Sequence, residues 1–192
     1  EDADAQLERI SQLPKDAATR EMQAIYQEPI KPELISRRIE EIKAEPGVVA
    51  AASLTPQRVA RYYELALEAG LDILVIQGTV VSAEHVSKTV EPLNLKKFIR
   101  EFEIPVIVGG CASYQAALHL MRTGAVGVLV GVGPGNACTT RGVLGVGVPQ
   151  ATAIADAAGA RMRHLDETGV YVQVIADGGM SKGGDIAKAI AC

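Results

Sequence analysis

The stretch Pro105-Val-Ile-Val-Gly-Gly-Cys-Ala-Ser-Tyr-Gln-Ala-Ala-Leu-His-Leu-Met-Arg-Thr-Gly-Ala-Val-Gly-Val-Leu-Val-Gly131 contains one complete strand–helix–strand repeat. Its two ends, residues 105–110 and 125–131, are continuous apolar runs of strand length, which is typical of parallel strands buried on both faces. The segment between them, residues 113–123, predicts a helix that Gly124 closes directly before the second strand. We therefore expect two neighbouring parallel strands with their connecting helix outside the sheet.

The same alternation continues on both sides of this repeat. Further apolar runs predict strands at residues 48–53, 72–77 and 171–176. Further helical segments lie at residues 33–44, 56–69, 93–102 and 150–167. Residues 1–30 are polar and rich in alanine, with only weak helical spacing. Strands that alternate with helices through short loops predict an α/β fold with a parallel sheet.

The positions of the glycine-rich loops separate a barrel from an open sheet. A dinucleotide-binding open sheet has its glycine-rich turn after the first strand. Here such loops follow the fourth and fifth predicted strands, at residues 131–149 and 177–179. Functional loops at the carboxyl ends of several strands are typical of a TIM (β/α)8 barrel. We expect residues 1–192 to form one partial barrel domain that alone has no turnover, with two strands before residue 1 and one after Cys192.

Composition and charge exclude several classes of protein. The chain has 192 residues, is 48% hydrophobic and carries a net charge of −4 without a basic cluster, so nucleic acid is not an expected partner. No apolar run reaches the ~18–20 residues that cross a membrane, and the first residues lack a signal-peptide pattern. Cys111, Cys138 and Cys192 are odd in number and far apart, which predicts free thiols in the reducing cytoplasm.

The loop at residues 131–149 is the first candidate site. It has six glycines in nineteen positions, and one polar cluster, Asn136-Ala-Cys-Thr-Thr-Arg141, lies in its middle. Glycines let the backbone approach a ligand closely. A thiol beside an arginine can have a lowered pKa and act as a nucleophile. From the residues alone, Cys138 is either such a nucleophile or a small apolar residue in an ordinary flexible loop.

The second candidate site is the loop that begins at Asp177. Its carboxylate could accept hydrogen bonds from ribose hydroxyls, and the amides of Gly178 and Gly179 could approach a phosphate. The alternative is that Asp177 caps the helix that follows. Among the histidines, His85 would face the same end of the barrel, whereas His119 and His164 lie on predicted helices and are expected on the surface or in packing contacts. No spacing of histidine, cysteine and aspartate predicts a zinc site.

Two motifs in this order resemble one known family. Gly131-Val-Gly-Pro-Gly-Asn-Ala-Cys-Thr-Thr-Arg141 with Gly145-Val-Gly-Val-Pro-Gln150 is similar to the catalytic loop and following helix of the IMP dehydrogenase/GMP reductase family. Val174-Ile-Ala-Asp-Gly-Gly179 with Gly184-Asp-Ile-Ala-Lys-Ala-Ile190 is similar to its phosphate-binding region. The likeness covers the chain from about residue 48 to its end.

The resemblance implies a substrate and a mechanism. Cys138 would attack C2 of the base of a purine mononucleotide, IMP or GMP, and Thr140 would assist proton transfer at the adduct. Asn136, where the family usually has serine, would bind the nucleotide together with Asp177, Gly178 and Gly179. The family members are homotetramers, so we expect a homotetramer here.

The resemblance also implies cofactors. A hydride would pass between the purine and NAD or NADP. The residues that correspond to the cofactor site are Gln77, Gly78, Thr79, Gly131, Val132 and Gly133. A monovalent cation, K⁺, would be held by the backbone carbonyls of Gly133, Gly135 and Cys138.

The sequence departs from the family pattern at three positions. Gln77 stands where IMP dehydrogenases have a cofactor-binding aspartate, Cys111 where they have asparagine, and Leu129 where they have arginine. No room precedes residue 48 for a pair of regulatory CBS modules, which indicates the compact, CBS-less branch of the family.

Four functions remain open at this point. The leading hypothesis is oxidation of IMP to XMP with a nicotinamide cofactor, in guanine nucleotide biosynthesis. The first alternative is reduction of GMP to IMP with NADPH, through the same cysteine adduct. The others are a flavin- or phosphate-binding barrel and a non-catalytic nucleotide-binding or assembly subunit.

Overall fold

The computed structural model describes residues 3–78, 80–82 and 93–192, which form two compact units. The first unit, Glu1–Leu34, contains helices α1 (Ala3–Ser11) and α2 (Lys15–Tyr26). Neither helix buries a residue, and an ion pair between Arg9 and Glu21 links them. Weak helical spacing in this region therefore corresponds to two short, polar helices.

The second unit, Ile35–Cys192, is built on a five-stranded parallel sheet. The strands run in chain order across the sheet: β1 (Ala51–Leu54), β2 (Ile73–Gln77), β3 (Val106–Cys111), β4 (Gly127–Val130) and β5 (Gln173–Ala176). Each adjacent pair is parallel, as strand–helix–strand connections allow. The predicted α/β fold of the (β/α)8-barrel type, with five strand–helix repeats in this chain, is confirmed.

Helices connect and flank the strands. They are α3 (Pro32–Lys43), α4 (Pro56–Glu68), α5 (Leu95–Glu101), α6 (Tyr114–Met121), α7 (Gln150–Thr168) and α8 (Gly183–Ala191). A π-helical turn, Thr140–Leu144, interrupts the long glycine-rich loop and was not predicted. Strand β1 starts later than predicted because the Ala50 amide donates to the Asp72 carboxylate over 2.7 Å rather than to a neighbouring strand.

The core lies between the sheet and its helices. Alternate strand residues, among them Leu74, Ile76, Val106, Val108, Val128 and Val130, are buried against apolar residues of α4, α6 and α7. Burial of such side chains stabilises a fold by roughly 1.5–3 kcal/mol each. The opposite face of the sheet carries Gln77 at the end of β2 and Leu129 on β4. This alternation leaves the second face for the functional residues.

Both glycine-rich loops lie at the carboxyl end of the sheet. The amide of Gly131, directly after β4, donates to the Cys111 carbonyl at the end of β3 over 2.8 Å. The amide of Asp177, directly after β5, donates to the Val130 carbonyl over 2.9 Å. The prediction that residues 131–149 and 177–182 share one end of a parallel sheet is confirmed.

Candidate active site

The loop at residues 131–149 is held at both ends by the side chain of Arg141. Its Nε donates to the Val132 carbonyl over 3.1 Å, and its Nη2 donates to the Val148 carbonyl over 2.6 Å. Gly147 makes room for this side chain, since a Cβ there would lie 2.6 Å from Arg141 Nε. The Arg141 side chain therefore connects the two ends of the loop.

Cys138 lies exposed on this loop, and its thiol has a defined partner. Sγ donates a hydrogen bond to Oγ1 of Thr140 over 3.3 Å, and the Cys138 amide donates to the Gly135 carbonyl over 3.1 Å. Hydrogen bonds from the Thr140 side chain and backbone lower the pKa of Cys138, with a smaller contribution from the Arg141 charge. The sequence suggested Arg141 as the main cause, whereas the structure assigns the larger effect to Thr140. An exposed thiol with a lowered pKa favours the nucleophile interpretation.

Gly133 determines how closely Thr140 approaches the start of the loop. Its φ is +61°, and a Cβ at this position would lie 2.8 Å from Cβ of Thr140. Only glycine tolerates both the left-handed conformation and this contact. The side chain of Asn136 is exposed in the same turn, two residues before Cys138.

The Asp177 loop packs directly against the cysteine loop. Gly178 and Gly179 have φ values of +83° and +79°, and a Cβ on them would lie 3.1 Å from Pro134 Cγ and 3.0 Å from the Pro134 carbonyl oxygen. The helix that follows begins only at Gly183, and its first turn is capped by the Asp185 carboxylate. The capping alternative for Asp177 is therefore wrong, and its carboxylate is available at the site.

Gln77 reaches the Asp177 carboxylate across the sheet. Its Nε2 donates to Asp177 Oδ2 over 3.0 Å, and its Oε1 accepts from Ser53 Oγ over 3.3 Å. Sequence analysis missed Ser53. The available signal was a hydroxyl at the carboxyl end of a predicted apolar strand, where functional residues of barrels are found.

Comparison with known proteins places this arrangement in a family. The IMP dehydrogenase / GMP reductase domain family matches residues 6–192 of the chain. The chain belongs to this family. The crystal structure of an IMP dehydrogenase/GMP reductase-like protein from Corynebacterium glutamicum is similar over 100% of this chain and 50% of that one, with a TM-score of 0.87 and 44% identity.

Two curated relatives show the range of the family. An uncharacterized oxidoreductase of Mycolicibacterium smegmatis is 51% identical over 178 residues, which are 92% of this chain and 47% of that protein. The inosine-5'-monophosphate dehydrogenase of Haemophilus influenzae is 46% identical over 125 residues, which are 65% of this chain and 24% of that protein. The chain thus spans about half the length of the C. glutamicum and M. smegmatis relatives.

Cys111 and Leu129, two of the three residues that depart from the IMP dehydrogenase pattern, contact one another in the core. Cys111 is buried, its Sγ donates to the Leu129 carbonyl over 3.5 Å, and burial raises the pKa of this thiol to about 11. Cys111 is therefore protonated at neutral pH and is no competitor to Cys138 as a nucleophile. Leu129 is buried as well.

Some of the residues predicted to bind the cofactor already use their backbone groups in hydrogen bonds within the protein. The Gly78 amide donates to the Gly109 carbonyl over 2.9 Å, and its carbonyl accepts from Gly110 over 3.0 Å. The Gly131 amide and the Val132 carbonyl are also bonded, as described above. Gly78 borders a cavity of about 340 Å³ whose other lining residues are Thr55, Pro56, Gln57, Val80, Val81, Ser82, Leu93 and Leu95. Thr79 and His85 lie outside the described residues.

The remaining predicted groups have these surroundings. Of the three carbonyls predicted for the cation, that of Gly135 accepts the Cys138 amide and keeps its second lone pair. His119 is exposed and His164 is buried, as expected for surface and packing residues.

Within residues 3–78, 80–82 and 93–192, no group of three histidine, cysteine or acidic side chains could hold a metal ion. No described helix has the length and apolar character to span a membrane.

Proposed function

We propose that this protein is an oxidoreductase that acts on purine mononucleotides through a covalent bond between Cys138 and C2 of the base. The observation that carries the proposal is the exposed Cys138 thiol, whose pKa Thr140 lowers, on a loop that packs against the Asp177 loop. Membership of the IMP dehydrogenase/GMP reductase family supports the same chemistry.

The residues of this chain have distinct roles in the proposal. The Cys138 thiolate forms the bond to C2, and the Thr140 hydroxyl assists proton transfer at the adduct. Asp177 accepts the ribose hydroxyls, while Asn136 and the backbone of Gly178 and Gly179 contact the phosphate. In oxidation, C2 loses a hydride while the sulfur stays attached, and water then releases XMP and restores the thiol.

A nicotinamide cofactor, when bound, supplies the acceptor or donor of that hydride. We propose Gly131, Val132 and Gly133 on the cysteine loop, and Gly78 and its cavity, as the residues that contact it; Thr79 stays a prediction. The carbonyls of Gly133, Gly135 and Cys138 would hold K⁺ and so order the loop that carries the thiol. The homotetramer and the cytoplasmic location also stay predictions from the sequence.

IMP oxidation is the form of the reaction that we favour. The support is similarity to inosine-5'-monophosphate dehydrogenases, of which the Methanocaldococcus jannaschii protein is 42% identical over 147 residues. Reduction of GMP uses the same cysteine chemistry and is the alternative.

The test is to follow nicotinamide absorbance with the protein at its full natural length. We expect an increase with IMP and NAD⁺ or NADP⁺, and no change with GMP and NADPH. The opposite pattern would assign GMP reduction. Absence of turnover in both assays, together with no nucleotide adduct on Cys138 by intact mass, would contradict the proposal.

A further inference from the structure

We propose that Ser53 and Gln77 are positioning residues for the Asp177 carboxylate, and that this chain of side chains sets the preference for ribonucleotides over 2'-deoxyribonucleotides. The inference rests on the proposed role of Asp177 in binding ribose. It assigns Gln77 to the nucleotide side of the site rather than to the cofactor side.

The register of the sheet places the side chains of Ser53 and Gln77 on one face. Ser53 on β1 is paired with Val75 on β2, and Gln77 follows two residues later. Because side chains alternate along a strand, Ser53, Val75 and Gln77 share a face. Opposite Gln77, β3 has Gly109, which carries no side chain. Gln77 is the last residue of β2 and Asp177 directly follows β5, so both side chains lie at the carboxyl end of the sheet, where Gln77 Nε2 reaches Asp177 Oδ2.

The chemistry of the partners fixes the direction of both hydrogen bonds. An ionised carboxylate only accepts, so the Gln77 group that faces Asp177 Oδ2 at 3.0 Å must be its amide NH₂. The Gln77 carbonyl oxygen then faces Ser53 Oγ at 3.3 Å, and the serine hydroxyl must donate to it. Ser53 thus holds the orientation of the amide, and the amide holds the carboxylate.

This arrangement leaves acceptor capacity for a ligand. A carboxylate has about four lone-pair positions, and Gln77 uses one of them on Oδ2. Within the described part of the chain, Asp177 Oδ1 accepts no hydrogen bond. A carboxylate that is fixed in place through one oxygen and open at the other suits two adjacent hydroxyls better than one. A ribose presents two, and a 2'-deoxyribose presents one.

An ionised aspartate or glutamate at position 77 could not donate a hydrogen bond to the Asp177 carboxylate. Two carboxylates within hydrogen-bond distance repel one another unless one of them is protonated. The glutamine therefore serves as a neutral donor beside Asp177.

The experiment compares dissociation constants for IMP and 2'-deoxy-IMP by calorimetry, with the protein at its full natural length. The reference variant is Asp177→Ala, which tests the ribose role itself. The test variants are Gln77→Glu, which keeps the shape but replaces the donor by an acceptor, and Ser53→Ala, which frees the amide. Gln173→Glu is the matched control, because it makes the same change at the exposed start of β5.

We expect the wild-type protein to bind IMP at least about tenfold more tightly than its deoxy analogue, as a hydrogen bond to a charged group implies. Asp177→Ala should remove this preference, Gln77→Glu should reduce it about tenfold, and Ser53→Ala about threefold. Gln173→Glu should leave it unchanged. A variant that is partly unfolded would bind both nucleotides more weakly by the same factor. The ratio of the dissociation constants for IMP and 2'-deoxy-IMP would then stay the same.

Two results have different consequences. If Asp177→Ala removes the preference but Gln77→Glu and Ser53→Ala keep it, the positioning chain is wrong and the ribose role stands. If the wild-type protein has no preference, or Asp177→Ala keeps one, the ribose role in the proposed function is wrong, and the positioning proposal is overturned with it.

Discussion

Sγ of Cys138 lies 3.3 Å from Oγ1 of Thr140, two residues further along the same turn. When the thiol ionises, the threonine hydroxyl can reverse its hydrogen bond and donate to the thiolate. Such donation stabilises the charged form, which is why the pKa of Cys138 is lowered although the side chain is exposed. The pair therefore combines accessibility with ionisation, and a nucleophile needs both.

Replacement of Thr140 by valine should raise the pKa of Cys138. The thiolate fraction at pH 7 then falls, so alkylation by iodoacetamide should slow several-fold and its pH profile should move to higher pH. Peptide mass spectrometry follows Cys138 separately from Cys192 in the same sample. Thr139→Val, one residue earlier, should leave the profile unchanged. Equal profiles for the two valine variants would contradict the role given to Thr140.

In the protein at its full natural length, Cys138→Ala should abolish turnover and keep nucleotide affinity within about tenfold, because the thiol supplies the covalent step and the proposed nucleotide contacts lie elsewhere. Steady-state assays and calorimetry measure the two effects. Cys192→Ala provides the matched control and should retain wild-type rates, since its thiol is exposed at the end of α8 and has no role in the proposed reaction. A Cys138→Ala variant with wild-type kcat would rule out the covalent mechanism.

Gly109→Ala should destabilise the fold by about 3 kcal/mol or more, because the new Cβ would lie 2.4 Å from Leu129 Cβ and 2.7 Å from the Leu129 carbonyl oxygen. Urea unfolding measures the change. Gly159→Ala, in helix α7, places its Cβ 3.6 Å from Tyr114, an ordinary contact. It should be neutral or stabilise by up to about 1 kcal/mol. Similar unfolding midpoints for both variants would show that β3 and β4 lie further apart.

Glu167 on α7 makes two ion pairs at 2.7 Å, one with Arg122 at the end of α6 and one with Arg163 a turn earlier on α7 itself. Hydrogen bonds from Arg122 and then Arg163 lower the pKa of Glu167 from 4.5 to about 2. A lowered carboxyl pKa stabilises the fold above pH 4.5, and this contribution is lost as the pH falls from 4.5 toward 2.

Glu167→Gln should therefore be less stable than wild type at pH 7, and the difference should shrink as the pH falls through that range. The effect should be small, since exposed ion pairs are screened by water and salt. Thermal unfolding at several pH values measures it, with Asp166→Asn as the neighbouring control. A difference that grows on acidification would mean that the ion pairs do not stabilise the fold.

Much of the fold could be predicted because the strands of a parallel sheet are continuous apolar runs. Residues 72–77 and 125–131 stand out in the sequence for this reason, and β2 and β4 lie within them. Boundaries were less predictable where a side chain competes with the sheet for a backbone group, as Asp72 does for the Ala50 amide. The π-helical turn after Thr139 has no apolar period of its own and was missed.

The amino-acid sequence was enough to predict the alternation of strands and helices and the two glycine-rich loops that contain Cys138, Thr140 and Asp177. These features are local, since each depends on a short run of residues and on motifs that can be read in order. Which side chains contact one another depends on the packing of the whole sheet. Ser53 on β1, Gln77 on β2 and Asp177 directly after β5 are separated by 24 and 100 residues, and the order of the strands in the sheet brings them within hydrogen-bond distance. Such contacts depend on strand order and register, which arise when the whole sheet packs and leave no signature in any one segment.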